Sequence, residues 1–195
     1  MSRRLLEGCF LLLSVLLPAP VAAQLGEVRI GVIGSYAVSD PYRSGAGLTL
    51  GYAPGRLAYM GVRWIYYVGR TEALADNAGS YDVTNRAQLF GADLGLEFPL
   101  GSMELVVGGT LGAIRYSQRT ESTGATTSGS ENAIATEFVA APMAILHIRV
   151  GPVMVAPQLA YYFAGAPDLR WSVGGSGPAL SCSILLPFET DRIRY

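Results

Sequence analysis

Arg29, Arg63, Asp93, Glu97, Glu104 and Glu137 are the residues of this chain placed to do chemistry in an interior. Each lies in a segment where large apolar residues alternate with small or polar ones. Successive side chains of a strand leave opposite faces, so the six charges are expected on the face that the large apolar residues do not use. Two guanidiniums and four carboxylates turned into a shared interior must pair with one another or find water. The chemistry on offer is a polar network, with a narrow ion or solute path constricted at Arg63 as its alternative. Nucleophilic catalysis would need a base within reach of a serine or cysteine. The one histidine, His147, is followed by Ile148-Arg149 beside a turn and has no serine next to it, so no catalytic residue is expected. No metal-ligand spacing, phosphate loop or dinucleotide fingerprint occurs, so neither metal nor cofactor is expected. Gly174-Gly175-Ser176-Gly177 precedes a strand and reads as a loop.

Eight segments position those charges. The first, Glu27–Val38, sets Val28, Ile30, Val32, Tyr36 and Val38 against Arg29, Gly31, Ser35 and Ala37. The second, Ala46–Ala53, sets Leu48, Leu50 and Tyr52 against Gly47, Thr49 and Gly51. In the third, Leu57–Arg70, Arg63 shares a face with Tyr59 and Tyr67, opposite Val62 and Trp64. The fourth, Asn85–Phe98, is the cleanest alternation: Phe90, Ala92, Leu94, Leu96 and Phe98 oppose Gly91, Asp93, Gly95 and Glu97. The fifth, Met103–Gln118, carries Glu104 and Thr110 opposite Leu105 and Leu111, and its Gly108-Gly109 pair could host a bulge. The sixth, Asn132–Ile148, opposes Glu137 and His147 to Ile134, Phe138, Leu146 and Ile148. The seventh, Val153–Phe163, and the eighth, Val173–Phe188, repeat the pattern. Period two over so many residues argues for strands.

The amino terminus has a different texture. Arg3-Arg4, an apolar core from Cys9 to Leu17 and the small residues Val21-Ala22-Ala23 read as a cleaved export signal over residues 1–23, leaving 24–195 as one domain. The apolar run is shorter than the roughly 20 residues of a membrane-spanning helix. Cys182 is then the sole cysteine of the exported chain, which excludes an internal disulfide, and it is expected to pack as a small apolar residue. Half the residues are hydrophobic, 15% are charged and the net charge is −1, which gives no case for nucleic acid.

Connections alternate in length. Pro54-Gly55-Arg56, Pro99-Leu100-Gly101-Ser102 and Arg149-Val150-Gly151-Pro152 are tight, whereas those around 39–45, 71–84, 119–131 and 164–172 are longer and polar. An even strand number puts both termini on the side of the tight turns. These features predict an all-β fold, an eight-stranded antiparallel up-and-down transmembrane β-barrel. Inward glycines suit a lumen just wide enough to be filled by side chains. Tyr36 and Tyr66 at one end, with Tyr52, Phe98 and Phe188 at the other, are expected to form interfacial girdles. Pro142 and Pro157 would each remove a ladder hydrogen bond, and one shared irregularity of their hairpin is expected. The rival is a soluble exported lipocalin-like barrel with a small apolar ligand inside, which would need Phe90, Leu94 and Leu96 inward and Asp93 and Glu97 outward.

With these elements in place the chain resembles the small outer-membrane β-barrel proteins, broadly the outer membrane protein β-barrel domain group. The stretch Glu137-Phe138-Val139-Ala140-Ala141-Pro142-Met143-Ala144-Ile145-Leu146 is similar to that group's acidic, then proline, then aliphatic strand, with the acid farther from the proline here. The end departs from the usual terminal aromatic signal: Tyr195 and Ile193 fit it, but Asp191 and Glu189 occupy apolar slots, so Phe188 is the alternative end of the last membrane strand. The resemblance implies residence in the outer membrane of a Gram-negative-type bacterium, with outer-membrane lipid and the insertion machinery as partners. It implies a structural, surface-interaction or narrow-passage role in the envelope. Some such barrels are lipid A deacylases or acyltransferases with His and Ser near the outer rim, but His147 falls at the other end. The Ser/Thr/Gly-rich segment Thr120–Ser130 is expected to be a solvated surface loop, with a surface ligand as the alternative.

Overall fold

The alternating segments fold into one sheet that closes on itself. The computed structural model describes residues 26–39, 42–55, 57–76, 79–122, 130–171 and 173–189. The export signal with its cleavage point, and the tail holding Asp191, Ile193 and Tyr195, lie outside the described residues. The strands are β1 (Glu27–Ala37), β2 (Arg43–Ala53), β3 (Ala58–Asp76), β4 (Gly79–Leu100), β5 (Met103–Ser122), β6 (Ser130–Val150), β7 (Val153–Ala164) and β8 (Gly177–Glu189). Each pairs antiparallel with the next, and β8 returns to β1 from Glu27↔Glu189 to Ala37↔Ala179, so no sheet edge is left open. Closure matters in a bilayer, where an unpaired backbone group has no water to turn to.

Both ends of the described chain lie with the tight turns, and that side is the turn end below. Gly101 and Gly151 begin the β4–β5 and β6–β7 turns at φ +67° and +62°, the left-handed backbone that a tight hairpin asks of its first residue. At the opposite, loop end the wall is uneven. Strands β3 to β6 have 19 to 22 residues, against 11 to 13 for the other four.

The predicted faces hold on every strand. Ile30, Val32, Leu48, Val62, Phe90, Leu94, Leu96, Leu111, Phe138, Leu159 and Ile184 are exposed outside, while Arg29, Arg63, Asp93, Glu97 and His147 are buried inside. This is the reverse of the lipocalin-type arrangement. On β4 the outward run from Phe90 to Leu100 spans ten steps of about 3.4 Å, tilted by about 40°, and so rises about 25 Å, the height of a lipid-facing band. The inner face is less polar than the alternation implied, because Ile33, Ile65, Leu89, Ile114, Val139 and Ile145 also fill it. Cys182 is a free thiol on the outer surface and not in the core.

Several expectations are corrected. The predicted 71–84 loop is mostly ladder, with β3 and β4 paired from Arg70↔Asn85 to Asp76↔Gly79. Here the outward pairs are Thr71↔Thr84, Ala73↔Asp82 and Ala75↔Ser80, with no large apolar residue among them, so apolar alternation no longer marks a strand. Likewise β5 continues to Ser122, β6 starts at Ser130 and β2 at Arg43. The eighth strand begins at Gly177; residues 173–176 before it are irregular, with the Gly175 carbonyl accepting from Tyr42 Oη. Gly108 and Gly109 keep register with Gly95 and Leu94, so they form no bulge. The register shift falls between Tyr67 and Arg70, where Gly69 has φ +68° and a Cβ would strike the Asn85 carbonyl. Pro142 and Pro157 interrupt the β6–β7 ladder at two separate heights, with the same register resuming after each. Each proline lacks one N–H, so the ladder skips locally and does not slip.

Candidate functional site

The lumen is where the charges converge, and it is filled in three tiers. Nearest the turn end, Arg29 on β1 is a hub. Its Nε donates to Glu27 Oε1 at 2.6 Å, Nη1 to Glu97 Oε1 at 2.7 Å and to His147 Nδ1 at 2.8 Å, and Nη2 to Glu104 Oε2 at 2.7 Å. Arg149 closes the outer side by donating to Glu27 Oε2 at 2.6 Å. A guanidinium has no acceptor, so His147 accepts at Nδ1 and carries its proton on Nε2. The Tyr59 ring lies against the imidazole, with centroids 5.7 Å apart. Glu97, Glu104 and His147 offer ligand-type atoms within 4.8 Å of one another, a spacing that could hold a metal ion. Arg29 donates to all three, so a cation of the protein itself already stands where a metal would.

The middle tier is built on β3 and β4. Asp93 sits opposite Gly61, and Arg63 opposite Gly91, so each charged side chain reaches over a residue with no side chain to obstruct it. Arg63 Nε donates to Asp93 Oδ2 at 2.8 Å, and Nη2 donates to the same oxygen. Thr110 donates to Asp93 Oδ1 at 2.6 Å, and Arg63 Nη1 reaches across the lumen to Gln158 Oε1 at 2.7 Å. The Met143 sulfur fills the gap, 3.5 Å from both Arg63 Nη2 and Thr110 Oγ1. Both oxygens of the buried Asp93 are thus satisfied, which a charge without water requires.

The third tier, toward the loop end, is made of phenols. Tyr42, Tyr67, Tyr116 and Tyr162 are all at most 1% exposed. Tyr42 Oη meets Tyr116 Oη at 2.8 Å and donates to the Gly175 carbonyl at 2.8 Å, and Tyr67 Oη meets Tyr162 Oη at 2.9 Å. Ser35 lies 3.0 Å from Tyr67 Oη and accepts from Ser181 at 2.8 Å. The rings of Tyr42 and Tyr67 pack edge to face with centroids 5.2 Å apart, a favoured aromatic geometry. Above them Gln118 donates to Asn85 at 3.0 Å and to the Trp171 carbonyl at 3.1 Å, and accepts from the Trp171 N–H at 3.2 Å. Those bonds draw the β7–β8 connection over the opening. Arg170 stacks there on Tyr81, 4.7 Å from the ring centre.

Of the six residues expected in a lumen network, Arg29, Glu97 and Glu104 meet in the lower tier and Arg63 and Asp93 in the middle one. Glu137 stands apart near Gly165 at the loop end and joins neither cluster. Alternation put Tyr67 and Tyr162 on the inner face, but it did not give a tier of phenols with Tyr42 and Tyr116. Parity alone would have found Tyr116, which follows Thr110 and Gly112 on the inner face of β5. Tyr42 precedes β2, where no periodicity reports a direction.

No family model matches the chain, and no curated protein does either. Solved structures do. A major outer membrane protein from Thermus thermophilus superposes with a TM-score of 0.63 at 9% identity, over 85% of this chain and 99% of that one. Neisserial surface protein A gives 0.58 at 15% identity, over 84% and 97%. Ail, the attachment invasion locus protein of Yersinia pestis, in complex with the heparin analogue sucrose octasulfate, gives 0.51 at 13% identity, over 84% and 98%. The fold is that of the small outer-membrane β-barrel proteins: eight antiparallel strands, closed, apolar outside and packed within.

Proposed function

We propose that this protein is exported by its amino-terminal signal, inserted into an outer membrane by the insertion machinery, and works there as a non-conducting, non-enzymatic barrel. Its role is structural or one of surface interaction. The observation that carries this reading is the stacking of three buried side-chain tiers across one lumen, each closed by hydrogen bonds from opposite walls. Arg63 does not line an open constriction but is held between Asp93 and Gln158. A solute would have to break charge pairs that have no water to replace them. The exposed apolar band supports lipid contact, because an exterior of this kind on a water-soluble barrel would aggregate. The non-enzymatic reading is supported by His147, whose Nδ1 is taken by Arg29 and which has no hydroxyl or thiol partner among the described residues.

The test has two stages. The protein should sediment with outer membranes and migrate differently on gels when left unheated, as a detergent-resistant barrel does. Reconstituted into planar bilayers, it should give no discrete conductance steps. Regular steps would replace this reading with the narrow passage, and a soluble protein with no heat-dependent migration would overturn membrane residence.

A further inference from the structure

The outer face of β3 to β6 changes character over a single row of residues. The row Trp64, Phe90, Ala113 and Phe138 is paired strand to strand and closes the apolar band toward the loop end. The next row outward is Tyr66, Gln88, Arg115 and Thr136. Beyond it Arg86 pairs with Ser117, beside Ile134. Parity along β4 and β5 points Arg86 and Arg115 outward, as it does Phe90 and Leu111, and both arginines are exposed. They are diagonal neighbours across the β4–β5 ladder, a relation that brings long side chains within reach of each other. Neither has an ion pair or hydrogen bond among the described residues, and no carboxylate occupies either row. Arg70 and Arg119 nearby are paired, with Glu72 and Glu121. Between Tyr66, Arg86, Gln88, Arg115, Ser117 and Ile134 lies a recess of about 220 Å³.

Two adjacent, uncompensated guanidiniums at the edge of a low-dielectric band repel each other more strongly than they would in bulk water. An anion between them would remove that cost, and the guanidinium fork suits phosphate oxygens. We propose that Arg86 and Arg115 bind a phosphate of an outer-leaflet lipid headgroup, with Gln88 and Ser117 as neutral hydrogen-bonding partners and the acyl chains lying along the Trp64 and Phe90 row. The lipid source follows from place: the recess opens sideways above the apolar band, at the end away from the termini. This inference rests on the membrane reading above.

The experiment titrates the folded full chain in detergent with diphosphoryl lipid A and measures the lipid carried with the protein through gel filtration. The wild-type chain should bind saturably. The R86Q/R115Q variant should bind at least about tenfold more weakly, two charge-assisted contacts being lost, while its unheated gel migration stays unchanged. Equal binding by the variant overturns the proposal, as does equal binding of dephosphorylated lipid A. Competition by inorganic phosphate as strong as that by the lipid makes the recess a free-anion site and overturns the lipid assignment. If a single R86Q variant folds and the double one does not, the single variant carries the comparison, and undiminished binding by it overturns the proposal. A wild-type chain with no heat-dependent migration would instead sink the membrane reading, and this one with it.

Discussion

The two ends of the lumen solve one packing problem with opposite chemistry. Toward the turns, Arg29, Glu27, Glu97 and Glu104 fill the interior with full charges, closed at the exposed rim by Arg149, and Arg63 with Asp93 continues that scheme to mid-height. Toward the loops, Tyr42, Tyr67, Tyr116 and Tyr162 fill it with neutral rings whose hydroxyls bond one another. A buried charge network is stable only while every partner is present, because removing one member strands the others without solvent. A phenol tier fails more gradually, since the ring keeps its packing when a hydroxyl is lost. The charged half should therefore be brittle and the tyrosine half tolerant.

The largest expected effect breaks the charged half. Arg63→Met leaves Asp93 buried with only Thr110 as donor and should cost about 3–5 kcal/mol in urea unfolding of the refolded barrel. Adding Asp93→Leu should recover much of that loss, since well-packed apolar residues can replace a buried ion pair at little net cost. A double variant as unstable as the single would mean that shape and not charge sets the brittleness. Next, Leu94→Arg and Asp93→Asn set the outer face against the inner one at neighbouring positions. The first puts a charge near the middle of the apolar band and should cost about 2–4 kcal/mol, read as loss of the folded, heat-modifiable form in membranes. The second keeps one oxygen to accept from Arg63 and should still assemble. Equal tolerance of both would undo the face assignment.

Smaller effects sharpen the other half. Tyr67→Phe removes one hydroxyl from the chain linking Tyr162, Ser35 and Ser181 and should cost about 1 kcal/mol by the same unfolding assay. A loss above about 3 kcal/mol would make the phenol tier as brittle as the charged one. Smallest of all, Cys182→Ala on the outer surface touches neither tier and should fall within about 0.5 kcal/mol of the wild-type chain.

Much of this architecture was legible in the residues. Strand number and the outward face of Ile30, Phe90, Leu94 and their like follow from period-two alternation, and the hairpins at Gly101 and Gly151 follow from their turn residues. The 71–84 ladder was not legible, because its outer face, with Thr71, Thr84, Ala73 and Asp82, lacks the large apolar residues that mark the other strands. The bulge at Gly69 was not either, since the sequence pointed to Gly108-Gly109 for one. What separates them is the left-handed backbone of Gly69, at φ +68°, which neither Gly108 nor Gly109 adopts.

Along an unbroken ladder, the sequence by itself determined which side of the wall each residue occupies; past the shift between Tyr67 and Arg70 on β3 it did not. That is a local property, because the backbone of a regular strand turns successive side chains to opposite faces. It placed Arg29, Arg63, Asp93, Glu97, Glu104 and Glu137 on the inner face. Only the tertiary structure decided who meets whom across the lumen. Arg29 finds Glu97, Glu104 and His147 at separations of 68, 75 and 118 residues, and Arg63 finds Gln158 at 95. Those meetings depend on the register of every ladder and on the pairing of β8 with β1, which set the height of each residue on the closed wall. Height is a cumulative, non-local quantity, and it is why Glu137, with the same parity as the others, ends apart from both clusters.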